Sequence, residues 1–369
     1  NWGFYDLDKA LKSMGISGFN GNTPKDVTVY LTADQVRRLS QTEQLRRRFD
    51  CTVEEVLAIW FNLRADEYTD FAGDKPTPIP SIYEKLFRNK AVLNPLNDAL
   101  KADPAALSGS IDSAAASIQA ALQIGDADYR LLRSTGTVAA DGHLNLANLS
   151  ACYRYVALAR WTGLSISDLV TTIALSGTNP FVNQPDTFAF LWKADFIHSS
   201  GFSIAALDYL LRDRFTEPSG MAPTEAAMQA FIDEARAMPD LQENALAVKF
   251  SGAFGLTVKA TDLLLIKNLK SADNPAVAMV QDFLQPGAAD AIRKSDYRKM
   301  AKAALLVNKF KISDEELEQI LQHHLLIGCL DFNALPVVQQ LSANWEGFEA
   351  LVNLIRARDL LGFGLSLIH

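Results

Sequence analysis

Two adjacent histidines, in the run Gln322-His323-His324-Leu325, and three cysteines, Cys51, Cys152 and Cys329, have the most direct claim on chemistry in this chain. Imidazoles and thiolates build zinc sites and nucleophile–base pairs. The spacing is wrong for a shared metal. Adjacent side chains on a helix diverge by about 100°, whereas the two histidines of H-E-x-x-H stand at i and i+4 on one face. The cysteines are odd in number, widely spaced and without a C-x-x-C pair, so they read as small core residues. His143 and His198 have no nucleophile beside them in sequence. For His323-His324 the bland reading is a partly exposed helix end, and the functional one is a mild pH sensor. Phosphate cradles of the G-x-x-x-x-G-K-[ST] or strand-following G-x-G-x-x-G kinds are missing. The aromatics, among them Trp60, Tyr83, Phe87, Trp161 and Trp192, fall in or beside helical stretches and read as packing residues rather than a sugar-stacking platform. No catalytic, cofactor-binding or metal-ligating residue is assigned, and no cofactor is expected.

A second chemistry to weigh is DNA recognition. LARWTGLSISDLVTT, from Leu158 to Thr172, ends one helix, turns at Thr162-Gly163-Leu164 and restarts at Ser165, as a helix-turn-helix does. Charge decides against it. A reader of duplex DNA needs a concentrated positive footprint, yet the net charge is -8 and the stretch after Ser165 carries Asp168 and no Lys or Arg through Leu175. The one dense basic cluster, Arg46-Arg47-Arg48 with Arg37 and Arg38 before it, reads as a solvated face or as partners for acids such as Glu54 and Glu55.

The elements that would position any site are helices. With 49% apolar and 21% charged residues among 369, the chain has a soluble globular balance and ample length for a core. No run approaches the ~20 apolar residues of a membrane-spanning helix, and none has the build of a signal peptide. Only Asp26 to Tyr30 alternates like a strand. Elsewhere a unit recurs in which an apolar residue precedes a short capping residue, with apolar residues at plus four and plus seven. It stands at Thr32 (Val36, Leu39), Thr52 (Val56, Ile59), Ser203 (Leu207, Leu210) and Ser313 (Leu317, Ile320), and less regularly at Gly125, Ser165, Thr257 and Asp331. The cap oxygen starts a helix and the stripe seats it. Another helix ends just upstream of many copies, at Leu45 to Phe49, Leu158 to Trp161, Val248 to Phe254 and Leu305 to Phe310. The expected fold is all-α, an irregular stack of helical hairpins with little or no β, divided into residues 1–140 and 141–369. The first residues, lacking an initiator Met, and the apolar end suggest a piece of a larger chain.

Several blocks, in order, resemble a known family: Trp2 to Leu11 (WGFYDLDKAL), Leu45 to Trp60 (LRRRFDCTVEEVLAIW), Ser81 to Pro95 (SIYEKLFRNKAVLNP), Leu144 to Phe181, Gly201 to Leu211 (GFSIAALDYLL), and Leu305 to Leu317 with Leu330 to Pro336. The Ser81 to Pro95 block is the most specific, since no generic helical rule dictates its order. Together they are similar to the N-terminal α-helical shell of the A subunit of the Tc insecticidal toxin complexes, a region that also resembles a Salmonella plasmid virulence protein. The turn at Thr162-Gly163 and the stretch from Ala237 to Arg293 depart from the family pattern. The resemblance implies a secreted, non-enzymatic shell lobe around a translocation channel. It also implies a pentameric homo-oligomer, other Tc subunits as partners and a host-cell receptor or glycan as target, with no nucleic acid and no membrane-spanning segment in this stretch. The competing expectations are a helix-turn-helix DNA-binding regulator built on Leu158 to Thr172, and a glycan-acting hydrolase with an unrecognised site. Gel-shift titration separates the first of these: the chain should show no salt-dependent binding to duplex DNA, and micromolar binding that weakens with salt would reverse the choice.

Overall fold

The computed structural model describes residues 2, 4–15, 31–70, 77–136, 138–216 and 220–362. The described residues form two compact units, one from residues up to 173 together with 178–193, the other from 174–177 together with residues from 194 onward. The division expected at 140/141 falls inside the first.

In the first unit, α1 (Phe4–Ser13), α2 (Ala33–Phe49), α3 (Val53–Leu57), α4 (Ile82–Phe87), α5 (Ala115–Leu122) and α6 (Asp126–Ser134) precede α7 (Leu146–Thr162). Nine residues of α7 are buried, from Leu149 to Ala159 and on every side of the helix, so it is the centre of this unit. Its Ser150 hydroxyl accepts from the Leu63 amide at 2.9 Å. Helices α8 (Ile166–Ser176) and α9 (Gln184–Ser200) follow. The second unit continues with α10 (Ile204–Arg212), α11 (Glu225–Arg236), α12 (Glu243–Phe254), α13 (Val258–Thr261), α14 (Met279–Leu284), α15 (Asp290–Phe310), α16 (Asp314–Ile327) and α17 (Trp345–Leu361). Helix α13 runs into a π-helix, Asp262–Asn268. Phe231, Phe250, Phe283 and Tyr297 meet in one aromatic cluster, with Phe231 and Phe250 at 4.5 Å between ring centroids. The centre of the unit is α15.

The recurring unit of the sequence is a turn with fixed parts. In Phe49-Asp50-Cys51-Thr52, Leu122-Gln123-Ile124-Gly125, Thr162-Gly163-Leu164-Ser165, Phe254-Gly255-Leu256-Thr257 and Phe310-Lys311-Ile312-Ser313, the second residue is left-handed, with φ between 48° and 69°. The apolar third residue returns its amide to the carbonyl five positions back, at 2.9 to 3.1 Å. That bond satisfies a carbonyl the helix end leaves open. The fourth residue then caps the next helix: Thr52, Ser165, Thr257 and Ser313 accept from first-turn amides, while Gly125 offers no side chain. After Thr52, Ser203 and Ser313 the plus-four and plus-seven residues are fully buried, as expected. After Thr32 the cap forms but Val36 is 52% exposed, so that stripe does not seat α2. Asp331 caps only a short 3-10 turn, Phe332–Ala334.

The strand expected at Asp26 to Tyr30 lies outside the described residues. A two-stranded antiparallel ladder stands instead at Tyr68–Asp70 and Thr77–Ile79, with Thr69 opposite Pro78. It is the only sheet among the described residues, and the all-α expectation holds.

A Cβ at Gly163 would meet nothing within 4 Å, so substitution there tests backbone conformation alone. Gly163→Ala should destabilise the chain by about 1 kcal/mol, because alanine resists a positive φ. A urea titration should show a lower midpoint at unchanged slope.

Candidate functional site

Arg293, Asp296, Lys299 and Lys302 stand at three-residue intervals along α15, and all four are buried. Charged residues are almost never buried unless paired, and each of these is taken up by a different segment. Arg293 donates to the carbonyls of Asp282 at 2.9 Å and Gln285 at 2.6 Å, and to the Asp290 carboxylate at 3.0 Å. Asp296 accepts from the Ala272 amide at 2.7 Å. Lys299 donates to the Lys270 carbonyl at 2.9 Å. Lys302 donates to Asp213 at 2.6 Å and to the Pro336 carbonyl at 2.5 Å, with its ammonium 4.5 Å from the centre of the Tyr209 ring.

The acid in this last pair sits at a turn. Asp213 follows α10 at φ 54°, a left-handed position that aspartate tolerates better than most residues. Its second oxygen faces Arg298 at 3.4 Å. Burial presses the Lys302 ammonium down to about 8, against the opposing pull of Asp213. A lysine with a lowered pKa in a cleft would be a nucleophile candidate. Here the cavity of about 320 Å³ beside Pro336, Gln340 and Asn344 does not include Lys302 in its lining, and its ammonium is engaged on three sides. The stripe is a fastening, with nothing presented to a substrate.

A cavity of about 410 Å³ in the first unit lies between α1 and α3 and is lined by Lys9, Lys12, Glu54, Asn62, Arg64 and Asp66 among others. Three ion pairs stand at its wall: Lys9 binds Asp66 at 2.6 Å, Lys12 binds Asp8 at 2.8 Å, and Arg64 binds Glu54. A glycosidase needs one carboxyl as acid and another as base or nucleophile. Glu54 and Asp66 are both committed to cations.

The residues singled out in the sequence do not converge. All three cysteines are free thiols, and burial pushes Cys51 and Cys152 up to about 12 and Cys329 to about 11, so none is a thiolate near neutrality. No group of three His, Cys, Asp or Glu among the described residues could hold a metal. His143 and His198 are exposed; His323 and His324 are half-buried, and His324 Nδ1 lies 3.1 Å from the Leu321 carbonyl. Arg37, Arg38, Arg46 and Arg47 of α2 find their acids on their own helix rather than at Glu54 and Glu55. Arg38 pairs with Asp34 and Arg46 with Glu43, each at 2.7 Å, while Glu55 completes the capping box with Thr52. Helical spacing of three and four explains the correction, since it brings those partners together without any tertiary contact.

In the helix-turn-helix stretch, α7 spends Arg160 on the carbonyls of Leu122 and Gln123, and Arg154 on that of Ala58 at 3.2 Å. In α8, Ile166, Leu169, Thr172 and Leu175 are buried, while Ile173 is only half-buried, so the seam runs through Thr172. Asp168 turns back to the Ser165 hydroxyl. No basic face is left for phosphate on this pair of helices.

The architecture of the described residues is thus all-α, built from capped helix pairs. Solved structures share it, two among them as follows. The cryo-EM structure of Morganella morganii TcdA4 matches with a TM-score of 0.57 and 16% identity, over 89% of this chain and 17% of that one. That of Yersinia pseudotuberculosis TcaA-TcaB matches with a TM-score of 0.57 and 14% identity, over 97% of this chain and 18% of that one. This is the fold of a Tc-toxin-like helical region, as the sequence blocks imply, and the chain spans under a fifth of the length of either structure's chain. No family model and no curated protein matches the sequence.

Removing the Asp213 charge strands the Lys302 ammonium in the core, at a cost of about 3–5 kcal/mol, and removing Lys302 leaves Asp213 only its longer contact to Arg298. Urea unfolding should therefore show Lys302→Met and Asp213→Asn each strongly destabilised. The double variant should recover part of the loss, since the two effects share one interaction.

Proposed function

We propose that this chain is a non-enzymatic shell segment of a Tc-type toxin A subunit, one lobe of the helical wall that encloses a translocation channel and takes part in host-cell attachment and toxin delivery. The observation that carries the reading is the fold shared, over nearly the whole chain, with a small part of two much larger Tc toxin chains. The site chemistry agrees with a structural role: buried charges tie segments together, and ion pairs line the cavity beside α1 and α3. No described helix is long and apolar enough to cross a membrane, so the channel itself would be formed elsewhere in such a subunit. In this reading the protein works outside the cell as a homo-oligomer, a pentamer by the family's pattern, together with the other Tc subunits and a receptor or glycan on the target cell.

Helix α16 ends in Leu325 and Leu326, 85% and 86% exposed, and such side chains are what neighbouring parts of an assembly would cover. Sedimentation velocity and negative-stain microscopy of the full gene product should reveal a large symmetric oligomer; a product that stays monomeric at all concentrations would overturn the proposal. Leu326→Glu, at an exposed position, should leave folding within about 0.5 kcal/mol of the parent and weaken the assembly.

A further inference from the structure

The cavity of about 410 Å³ beside α1 has two unlike walls. One is apolar: Val53 and Leu57 of α3, with Ala58 and Leu63 just after it, are buried residues that border the space. The other is α1, which turns its polar side inward. Asp6, Lys9 and Ser13, at i, i+3 and i+7, line the cavity together with Lys12. Leu7 of the same helix is not in the lining and is 39% exposed. A polar helix face set over an apolar floor is the reverse of ordinary seating, in which the apolar stripe faces inward. Water between the two walls satisfies α1 and leaves the floor unfavourably wet.

Size narrows what can displace that water. Two turns of helix, roughly 10 Å across and 11 Å long, fill about twice the space. A flexible chain of small cross-section fits, and the volume falls in the range of small-molecule sites, about 300–1,000 Å³. Charge narrows the other end of the ligand. Lys9 is bound to Asp66 and Arg64 to Glu54, with both acids in the same lining. Lys12 differs: its acid, Asp8, is one turn back on its own helix and outside the lining, and both side chains are about half exposed. An exposed pair of this kind contributes little, so the ammonium can turn to a ligand at small cost. Asp6, the acid that α1 itself places in the lining, stands nearly two turns from Lys12, ~9 Å along the axis, and opposes an anion only at the far end.

We propose that this cavity binds a single-chain amphiphile with an anionic head, of the fatty-acid class, its chain on Val53, Leu57 and Leu63 and its carboxylate on Lys12. The chain replaces water on the floor, and the head gives the Lys12 ammonium a charge-assisted partner. This binding function is separate from the shell role and does not rest on it.

The test is isothermal titration calorimetry of the full chain with dodecanoate, kept below its micelle-forming concentration. The parent should show saturable one-to-one binding. Ala65, half-buried, also lines the cavity, and Ala65→Trp puts an indole into the space. Binding should weaken about tenfold or more, the loss expected when two methylenes are displaced from the floor. Lys12→Glu, at an exposed position that leaves folding intact, should weaken dodecanoate severalfold and strengthen dodecyltrimethylammonium, which carries the opposite head. Leu360→Glu, at a side chain 87% exposed on α17, should change neither. Absence of saturable binding to the parent would overturn the proposal, as would affinity that survives both Ala65→Trp and Lys12→Glu or is lost in Leu360→Glu. Cosedimentation with phosphatidylglycerol vesicles without binding of free dodecanoate would overturn it too, by assigning the affinity to a lipid surface.

Discussion

A charge buried inside a protein must find its partner there, and the four charges of α15 impose that requirement on much of the second unit. Arg293, Asp296, Lys299 and Lys302 draw in the end of α14, the 269–278 segment, the turn after α10 and the chain at Pro336. All four bind backbone carbonyls or amides, groups that irregular segments cannot satisfy within themselves. The apolar residues beside and beyond them, Tyr297, Met300, Ala303 and Leu306, supply the burial. The polar contacts select which segments lie where, while dispersion and the hydrophobic effect supply most of the stability.

The same economy appears in the first unit at the surface. Helix α2 satisfies arginines with its own Asp34 and Glu43, and α7 spends Arg160 on the end of α5. Four arginines of the basic cluster that invites a phosphate reading thus already share two acids of their own helix. The absence of a basic face on α7 and α8 has a structural cause as well as a compositional one.

Much of the fold was legible in the sequence. Short caps preceded by an apolar residue mark helix starts, and Thr52, Ser165, Thr257 and Ser313 all cap as their surroundings imply. The left-handed positions were visible only where glycine fills them, at Gly163 and Gly255; Asp50, Gln123 and Lys311 do the same work without a compositional signal. The ladder at Thr77–Ile79 hides in a proline-rich run that reads as loop. The stripe on α15 was missed for a physical reason. Charges at three-residue spacing usually mark a solvated helix face, and only the tertiary positions of Ala272, Lys270, Asp213 and Pro336 reveal that this one faces inward.

Spacing gives that stripe a further property. A helix seated only by leucines and alanines can slide or rotate against its neighbours at modest cost, because one apolar contact substitutes for another. On α15, a rotation by a single residue, about 100°, would carry all four charged side chains away from their acceptors together. The intermediate positions of such a slip are all unfavourable at once, and the error cannot be made gradually. The helix therefore acts as a key cut with four teeth: it turns in one register or it does not enter.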